Sequence, residues 1–285
     1  MDALDVKTFS EDVRGRVSPK TREIMDQIAE MTGHAHGTVA KFDHVFELTP
    51  KGDLRHLHNQ YADALFASLL LRNAILNRSI VEAVNRYDFL TYALAGRSLI
   101  EIAATARYYV RKKITPIVHK VVAAKQITNE QLRELIEHED RFLRGSRFDW
   151  DVFFTKGFEA LATDYSEWIK RKQKHGSKAK RWEANPLACE QINTATCLEA
   201  WALDDPRIGV LYDLFCEMVH PNIGSMLCIA SLHERGIQFA VNQRGAFGLQ
   251  LFDLSYGPLQ VYVAKEFVRQ TYVIIHLKFQ SDELE

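Results

Sequence analysis

The sequence lacks several features that assign many chains to a class at once. None of its four cysteines belongs to a C-x-x-C pair, and the opening residues MDALDVKTF have neither the basic start nor the apolar run of a secretory signal. The longest apolar stretch, Ala64 to Leu71, is much shorter than the roughly 20 residues of a membrane span. We therefore expect a cytoplasmic protein with free thiols and no membrane association.

A strong net charge is also missing, as are the short motifs of common enzymes. The 36 Lys and Arg residues nearly balance 37 Asp and Glu residues, so attraction to nucleic acid must come from a local patch. No G-x-x-x-x-G-K-[ST], G-x-G-x-x-G, G-x-S-x-G or H-E-x-x-H string occurs. This argues against the common nucleotide-binding, hydrolase and zinc-protease classes, and we expect no cofactor.

Apolar side chains, in contrast, recur at helical spacing along much of the chain. Steps of three, four and seven predict a long helix over 54–86, followed by a second over 88–113. The short join between them allows only antiparallel neighbours. A third helix is predicted to begin after the N-cap Asp205 and to end at His220, and a fourth spans about 259–279.

The rest of the chain has a different pattern. Two short apolar runs, Met226–Ser231 and Ile237–Val241, suggest a small β-hairpin. The prediction is a mainly all-α fold, with a four-helix-bundle-like core and an inserted helical segment. Its parts are an N-terminal helical and loop segment 1–53, the core 54–113 and 206–279, and the insertion 114–205.

Two rows of polar residues stand out on these predicted helices. Arg97 and Glu101 are four residues apart beside several small residues, and Tyr212, Cys216 and His220 follow at the same spacing on the third helix. We expect the two rows to touch, and either a structural ion pair or a catalytic centre would explain them. If the pair is buried, loss of Arg97 would cost about 3–5 kcal/mol. His220 could act in acid–base chemistry or simply cap its helix.

The strings Arg97-Ser-Leu-x-Glu101 and Tyr212-x-x-x-Cys216-x-x-x-His220-Pro-Asn resemble those of a bacterial domain family similar to the HEPN class. The resemblance covers about 54–113 and 206–279. It implies a helical bundle, often dimeric, that is associated with RNA, toxin–antitoxin systems or antiviral defence. It also implies that Arg97, Glu101, Tyr212 and His220 are the catalytic candidates. Cys216 stands where the family usually has serine.

A basic segment at 170–181 carries seven Lys or Arg residues and no acid, between two tryptophans. Mobile cations beside stacking aromatics suit the backbone and bases of RNA or single-stranded DNA. A solvated surface loop would show the same composition. The candidate nucleic-acid-binding residues are Lys170, Arg171, Lys172, Lys174, Lys178, Lys180 and Arg181.

Two further patterns carry little information. Arg133 and His138 match the shortest spacing of the HEPN ribonuclease motif, but a chain with this much Arg and His gives such matches by chance. The pairs His34/His36 and His56/His58 have H-x-H spacing, which could serve a metal only on an extended segment. We therefore predict no metal site.

The leading hypothesis is an intracellular, bacterial, HEPN-like helical protein that contributes to a nucleic-acid-linked toxin or to phage defence. The alternative is a protein-interaction module without enzymatic activity, in which the polar residues are structural. A ribonuclease using His220 is a third option, so enzymatic activity is left open. The expected partners are RNA or single-stranded DNA, another protein, and a second copy of the chain in a homodimer.

Overall fold

The computed structural model describes residues 8–39, 46, 48, 53–124, 126–144, 150–160, 166–167, 170, 193–221, 225–226, 230–233, 236–239 and 246–276. The described helices begin with α1 (Glu11–Arg16) and α2 (Pro19–Val39), and α2 packs against α3 (Leu54–Asn85). Ser10 caps α1, and its backbone N–H donates to Oδ1 of Asn85 at 2.8 Å. The N-terminal segment is thereby fastened to the end of α3.

Helices α3 and α4 (Phe89–Tyr109) form the antiparallel pair that their apolar spacing predicts. The carboxylate of Asp53 caps α3 by accepting from the N–H of Arg55, and Asp88 caps α4 in the same way. Between them Tyr87 has φ 60°, the left-handed conformation that reverses a chain sharply. The predicted pairing is confirmed, and its ends fall within a residue or a few of those expected.

A π-helical turn, Val110–Ile114, continues α4 into α5 (Thr115–Ala124). Helices α6 (Asn129–Arg144) and α7 (Trp150–Lys156) follow, and then α8 (Thr194–Asp204). Helix α6 packs on α3, and α8 packs on α4. Both helices come from the predicted insertion 114–205, and both contact the central pair.

Helix α9 (Pro206–Val219) has the predicted N-cap Asp205 and ends at His220. Two short strands, β1 (Ala230–His233) and β2 (Gly236–Phe239), pair antiparallel. The last helical region begins earlier than expected: α10 (Ala246–Pro258) runs through a second π turn (Leu259–Ala264) into α11 (Lys265–His276). The predicted start at 259 was wrong, because Pro258 lies inside the helical region and does not break it.

One apolar core joins these helices, and the all-α class is confirmed. Its members come from every described helix except α7 and include Val13, Ile80, Leu99, Leu135 and Phe267, all buried. Helix α3 is long and apolar enough to cross a membrane, yet 61% of its most apolar window is buried inside the protein. Within the described residues it is the single helix with this property, which a core helix of a soluble protein also has.

Candidate functional site

The centre of the candidate site is a group of side chains on α4 and α9, which we call the polar cluster: Arg97, Glu101, Tyr212 and Cys216. The two helices approach closely because residue 96 is glycine. A Cβ atom there would lie 2.6 Å from Cε1 of Phe215, a distance that real Cβ atoms do not tolerate. The missing side chain therefore allows α9 to lie directly against α4.

Hydrogen bonds connect the two helices through one carboxylate oxygen. Arg97 Nε donates to Oε1 of Glu101 at 2.9 Å, and the hydroxyl of Tyr212 donates to the same oxygen at 2.9 Å. The Arg97 guanidinium also lies 5.5 Å from the centre of the Tyr212 ring, within cation–π range. The predicted contact between the two polar rows is confirmed.

Burial and, next in size, the hydrogen bond to Glu101 together raise the pKa of Tyr212 to about 12. The phenol is therefore protonated at neutral pH and serves as a hydrogen-bond donor. The side chain of Cys216 also interacts with the Tyr212 hydroxyl. The thiol of Cys216 is therefore in contact with the tyrosine of the same cluster.

The polar cluster is half-buried and not sealed in the core. Arg97 and Glu101 are each 31% exposed. Solvent screens such a pair, so its contribution to the free energy of unfolding is about 0.2–1 kcal/mol. The larger cost of about 3–5 kcal/mol, which the sequence suggested for a buried pair, does not apply here.

Glu101 also faces an open pocket of about 300 Å³ between α3, α4, α6 and the start of α8, which we call the Glu101 pocket. Two arginines, one from α3 and one from α6, share this pocket with the carboxylate. Hydroxyl side chains complete much of the wall. The polar lining consists of Ser68, Arg72, Ser98, Glu101, Thr105, Arg141 and Thr194. Neither arginine could be predicted from the sequence to lie here, because both are far from Glu101 along the chain.

His220 lies apart from the polar cluster. It is exposed at the end of α9, where its backbone N–H donates to the carbonyl oxygen of Cys216 at 2.9 Å. Eight residues of helix separate it from Tyr212, about 12 Å along the axis. Its ring makes no hydrogen bond with the part of the chain that the structure describes.

The other predicted site residues have different outcomes. The candidate nucleic-acid-binding residues 171–181, and both flanking tryptophans, lie outside the described residues; Lys170 is described and is exposed. On α6, Arg133 is exposed and His138 is mostly buried. No group of three or more potential metal ligands occurs within the described ranges.

A second polar group, buried between α3, α4 and α6, was not anticipated. His58 Nδ1 lies 3.0 Å from Oε1 and 3.1 Å from Oε2 of Glu139, and the hydroxyl of Tyr109 donates to Oε1 at 3.1 Å. His56, two residues earlier on α3, is exposed. The two histidines therefore point to different sides of the helix and do not form the H-x-H metal pair.

Comparisons with protein-family models, with curated proteins and with solved structures each found no match.

Proposed function

We propose that the chain is a cytoplasmic, bacterial, HEPN-like helical protein that acts on or binds RNA or single-stranded DNA in a toxin or antiviral-defence system. The observation that carries the proposal is the Glu101 pocket. Glu101 is oriented by Arg97 and Tyr212, and on its open side it shares a cavity with Arg72 and Arg141. Arginines bind phosphate groups, and an oriented carboxylate beside them can accept a proton or a ribose hydroxyl hydrogen bond.

The packing of the helices supports a four-helix-bundle-like core. Helix α4 contacts α3, α9 and α11, and α3 contacts α11. The polar cluster connects α4 and α9, the two helices that carry the motifs resembling the HEPN class. A homodimer belongs to the same proposal; Leu90 and Leu94 are exposed one turn apart on α4 and offer it an apolar surface.

The alternative function is protein interaction without enzymatic activity. It is supported by the bonds of Glu101 to Arg97 and Tyr212, because they connect α4 to α9 and would fix the register of the two helices. In that case the arginines of the Glu101 pocket have no phosphate to bind.

The test is a titration of a fluorescent single-stranded RNA at about 50 mM salt, where phosphate contacts are strong. We expect weak binding without sequence preference, with a log–log salt slope of roughly −2 to −3 if three or four cations engage phosphates. Replacing Arg72 and Arg141 by Gln tests the pocket. Replacing Lys170, Arg171, Lys172 and Lys174 by Gln tests the basic segment.

A matched control removes two cations elsewhere, with Lys20→Gln and Arg22→Gln on α2. The control should leave the salt slope unchanged, whereas each test set should flatten it. Denaturing gels of the same mixtures report cleavage, which Glu101→Gln should abolish if the carboxylate takes part. Absence of binding by the unmodified protein would overturn the nucleic-acid role and leave the interaction module.

A further inference from the structure

A cleft on another side of α4 has the properties of an anion-binding site. Two adjoining cavities, of about 560 Å³ and about 500 Å³, lie between the end of α4, α8 and α11. They share Arg107, Arg111, Asp204 and Arg269, so we treat them as one feature, the Arg107 cleft. Neither the polar cluster nor the Glu101 pocket contributes to it.

The Arg107 cleft has more positive than negative charge. The larger cavity is lined by Arg107, Arg111, Lys112 and Arg269, against one lining carboxylate, that of Asp204. The smaller cavity adds Lys265, Asp205 and Glu266, so five cations face three carboxylates over the whole cleft. In a chain of net charge −1, this local excess attracts a dianion.

The carboxylates pair with the buried arginine of the cleft and leave donors on its exposed cations open to a ligand. Arg107 is buried and donates to Asp204 at 2.7 Å and to Glu266 at 3.1 Å, so it is structural. Arg269 is mostly exposed, and its guanidinium lies 3.9 Å from the Glu266 carboxylate, near the outer limit of an ion pair. Lys112 forms no ion pair within the described ranges. Arg111 donates one N–H to Asp204 at 3.2 Å but is 43% exposed. The cations available to a ligand are therefore Lys112 and Arg269, with the remaining N–H groups of Arg111.

A buried acceptor in the same cleft points to a second ligand group. Gln270 is 3% exposed, and its Nε2 donates to Glu266 Oε1 at 2.7 Å. Its Oε1 has no hydrogen-bond partner in the part of the chain that the structure describes. If the Gln270 amide were rotated by 180°, its oxygen would face the Glu266 carboxylate and be repelled by it. The hydrogen bond to Glu266 therefore identifies which amide atom is the nitrogen. A buried oxygen without a hydrogen bond destabilises the folded protein, and a ligand N–H or O–H that donated to it would remove that cost.

The backbone around the cleft is irregular on two sides. The first π turn, Val110–Ile114, carries Arg111 and Lys112, and the second, Leu259–Ala264, supplies Val261 and Tyr262 to the smaller cavity. Such turns are uncommon and frequently occur where a helix is adapted to a binding site.

We propose that the Arg107 cleft binds a small phosphate monoester that also carries a hydroxyl or amine donor. Arg111, Lys112 and Arg269 contact the phosphate oxygens, whose two negative charges match the local excess of cations. Gln270 Oε1 accepts a hydrogen bond from the hydroxyl or amine of the same molecule. Arg107 holds Asp204 and Glu266 in place and thereby orients Gln270.

The experiment is isothermal titration calorimetry of the full chain with glycerol 3-phosphate, which carries both a phosphate and hydroxyl donors. Inorganic phosphate and glycerol are the two partial probes. We expect glycerol 3-phosphate to bind more tightly than phosphate, and glycerol not to bind. Lys112→Gln with Arg269→Gln should weaken binding by about tenfold or more, since each charge-assisted hydrogen bond is worth about that factor.

The matched control, Lys113→Gln with Arg133→Gln, removes two cations that do not line the cleft and should leave binding unchanged. Gln270→Leu should remove the preference for glycerol 3-phosphate over phosphate, and its melting temperature verifies that it folds. The proposal is overturned if neither phosphate probe binds, or if the control weakens binding as much as the cleft variant. Binding of single-stranded RNA alone, abolished by the cleft variant, would also overturn it and assign the cleft to a nucleic-acid backbone.

Discussion

At the scale of single residues, burial decides which charged groups the protein tolerates. Glu139 is almost fully buried beside His58 and Tyr109. Burial raises the pKa of Glu139, and the hydrogen bonds from His58 and Tyr109 lower it without cancelling the rise. The folded protein therefore retains a proton on Glu139 at pH values where the unfolded chain has lost it.

The stability of the protein should reflect this proton. Between the ordinary pKa of a glutamate and the raised value of Glu139, the folded state binds more protons, so stability falls as pH rises. Glu139→Gln removes this contribution. The difference between the two proteins should change by about 1.4 kcal/mol for each pH unit of that window. Urea unfolding, measured in steps from about pH 4 to about pH 7, gives both curves.

Glu137→Gln is the matched control, because Glu137 is exposed on the same helix. It should follow the pH dependence of the unmodified protein. If Glu139→Gln also follows that dependence, Glu139 is ionised in the folded state and the assignment of its proton is incorrect.

The contact between Arg97, Glu101 and Tyr212 could be predicted from residue spacing. Polar residues four apart form a row on one face of a helix, and two such rows meet when the helices pack together. The extent of burial could not be predicted in the same way. It depends on α6 and α8, which come from distant parts of the chain and leave the Glu101 pocket open. The partners of His58 were missed for the same reason, since Glu139 lies 81 residues away.

At the scale of secondary structure, the capping residues at the ends of helices were the most informative part of the sequence. Asp205 caps its helix as predicted, and Asp53 caps α3 in the same way, because the first N–H groups of a helix are free to donate to a carboxylate placed before it. The two π turns could not be predicted. An extra residue in one helical turn shifts the following apolar positions by a single residue, and the ordinary mixture of three- and four-residue steps conceals that shift.

The contact of α4 with α9 gives a second prediction. Gly96→Ala should improve helix propensity by up to about 1 kcal/mol but force its Cβ against the Phe215 ring. That ring is buried and packs edge-on against Tyr92 at 5.5 Å, so it has no space to move. We expect a net destabilisation of about 1–3 kcal/mol, which thermal unfolding would show.

Gly15→Ala provides the comparison, since a Cβ at Gly15 in α1 meets nothing within 4 Å. That variant should be neutral or slightly more stable. Equal behaviour of the two variants would mean that α4 and α9 do not approach as closely as the structure places them.

At the scale of the whole molecule, every described helix except α7 contributes to one apolar core. The sequence suggested a bundle interrupted by an insertion, because 114–205 lacks the long regular helices on either side. Yet Leu135 of α6 and Trp201 of α8 belong to the same cluster as Leu99 of α4. The sequence of these short helices does not predict their place in the core. An apolar face indicates that a helix is buried, but not which surface it packs against.

The shared core leads to the final prediction, which concerns cooperativity. Leu135→Ala and Leu99→Ala each remove a buried leucine, one within 114–205 and one in α4, and each should cost about 2–5 kcal/mol. If both leucines stabilise one core, scanning calorimetry shows a single transition that both substitutions move to lower temperature. Leu203→Ala, at an exposed position on α8, should leave it within about 0.5 kcal/mol of the unmodified protein. Two separate transitions, with Leu135→Ala shifting just one of them, would show that 114–205 unfolds independently of the central helices.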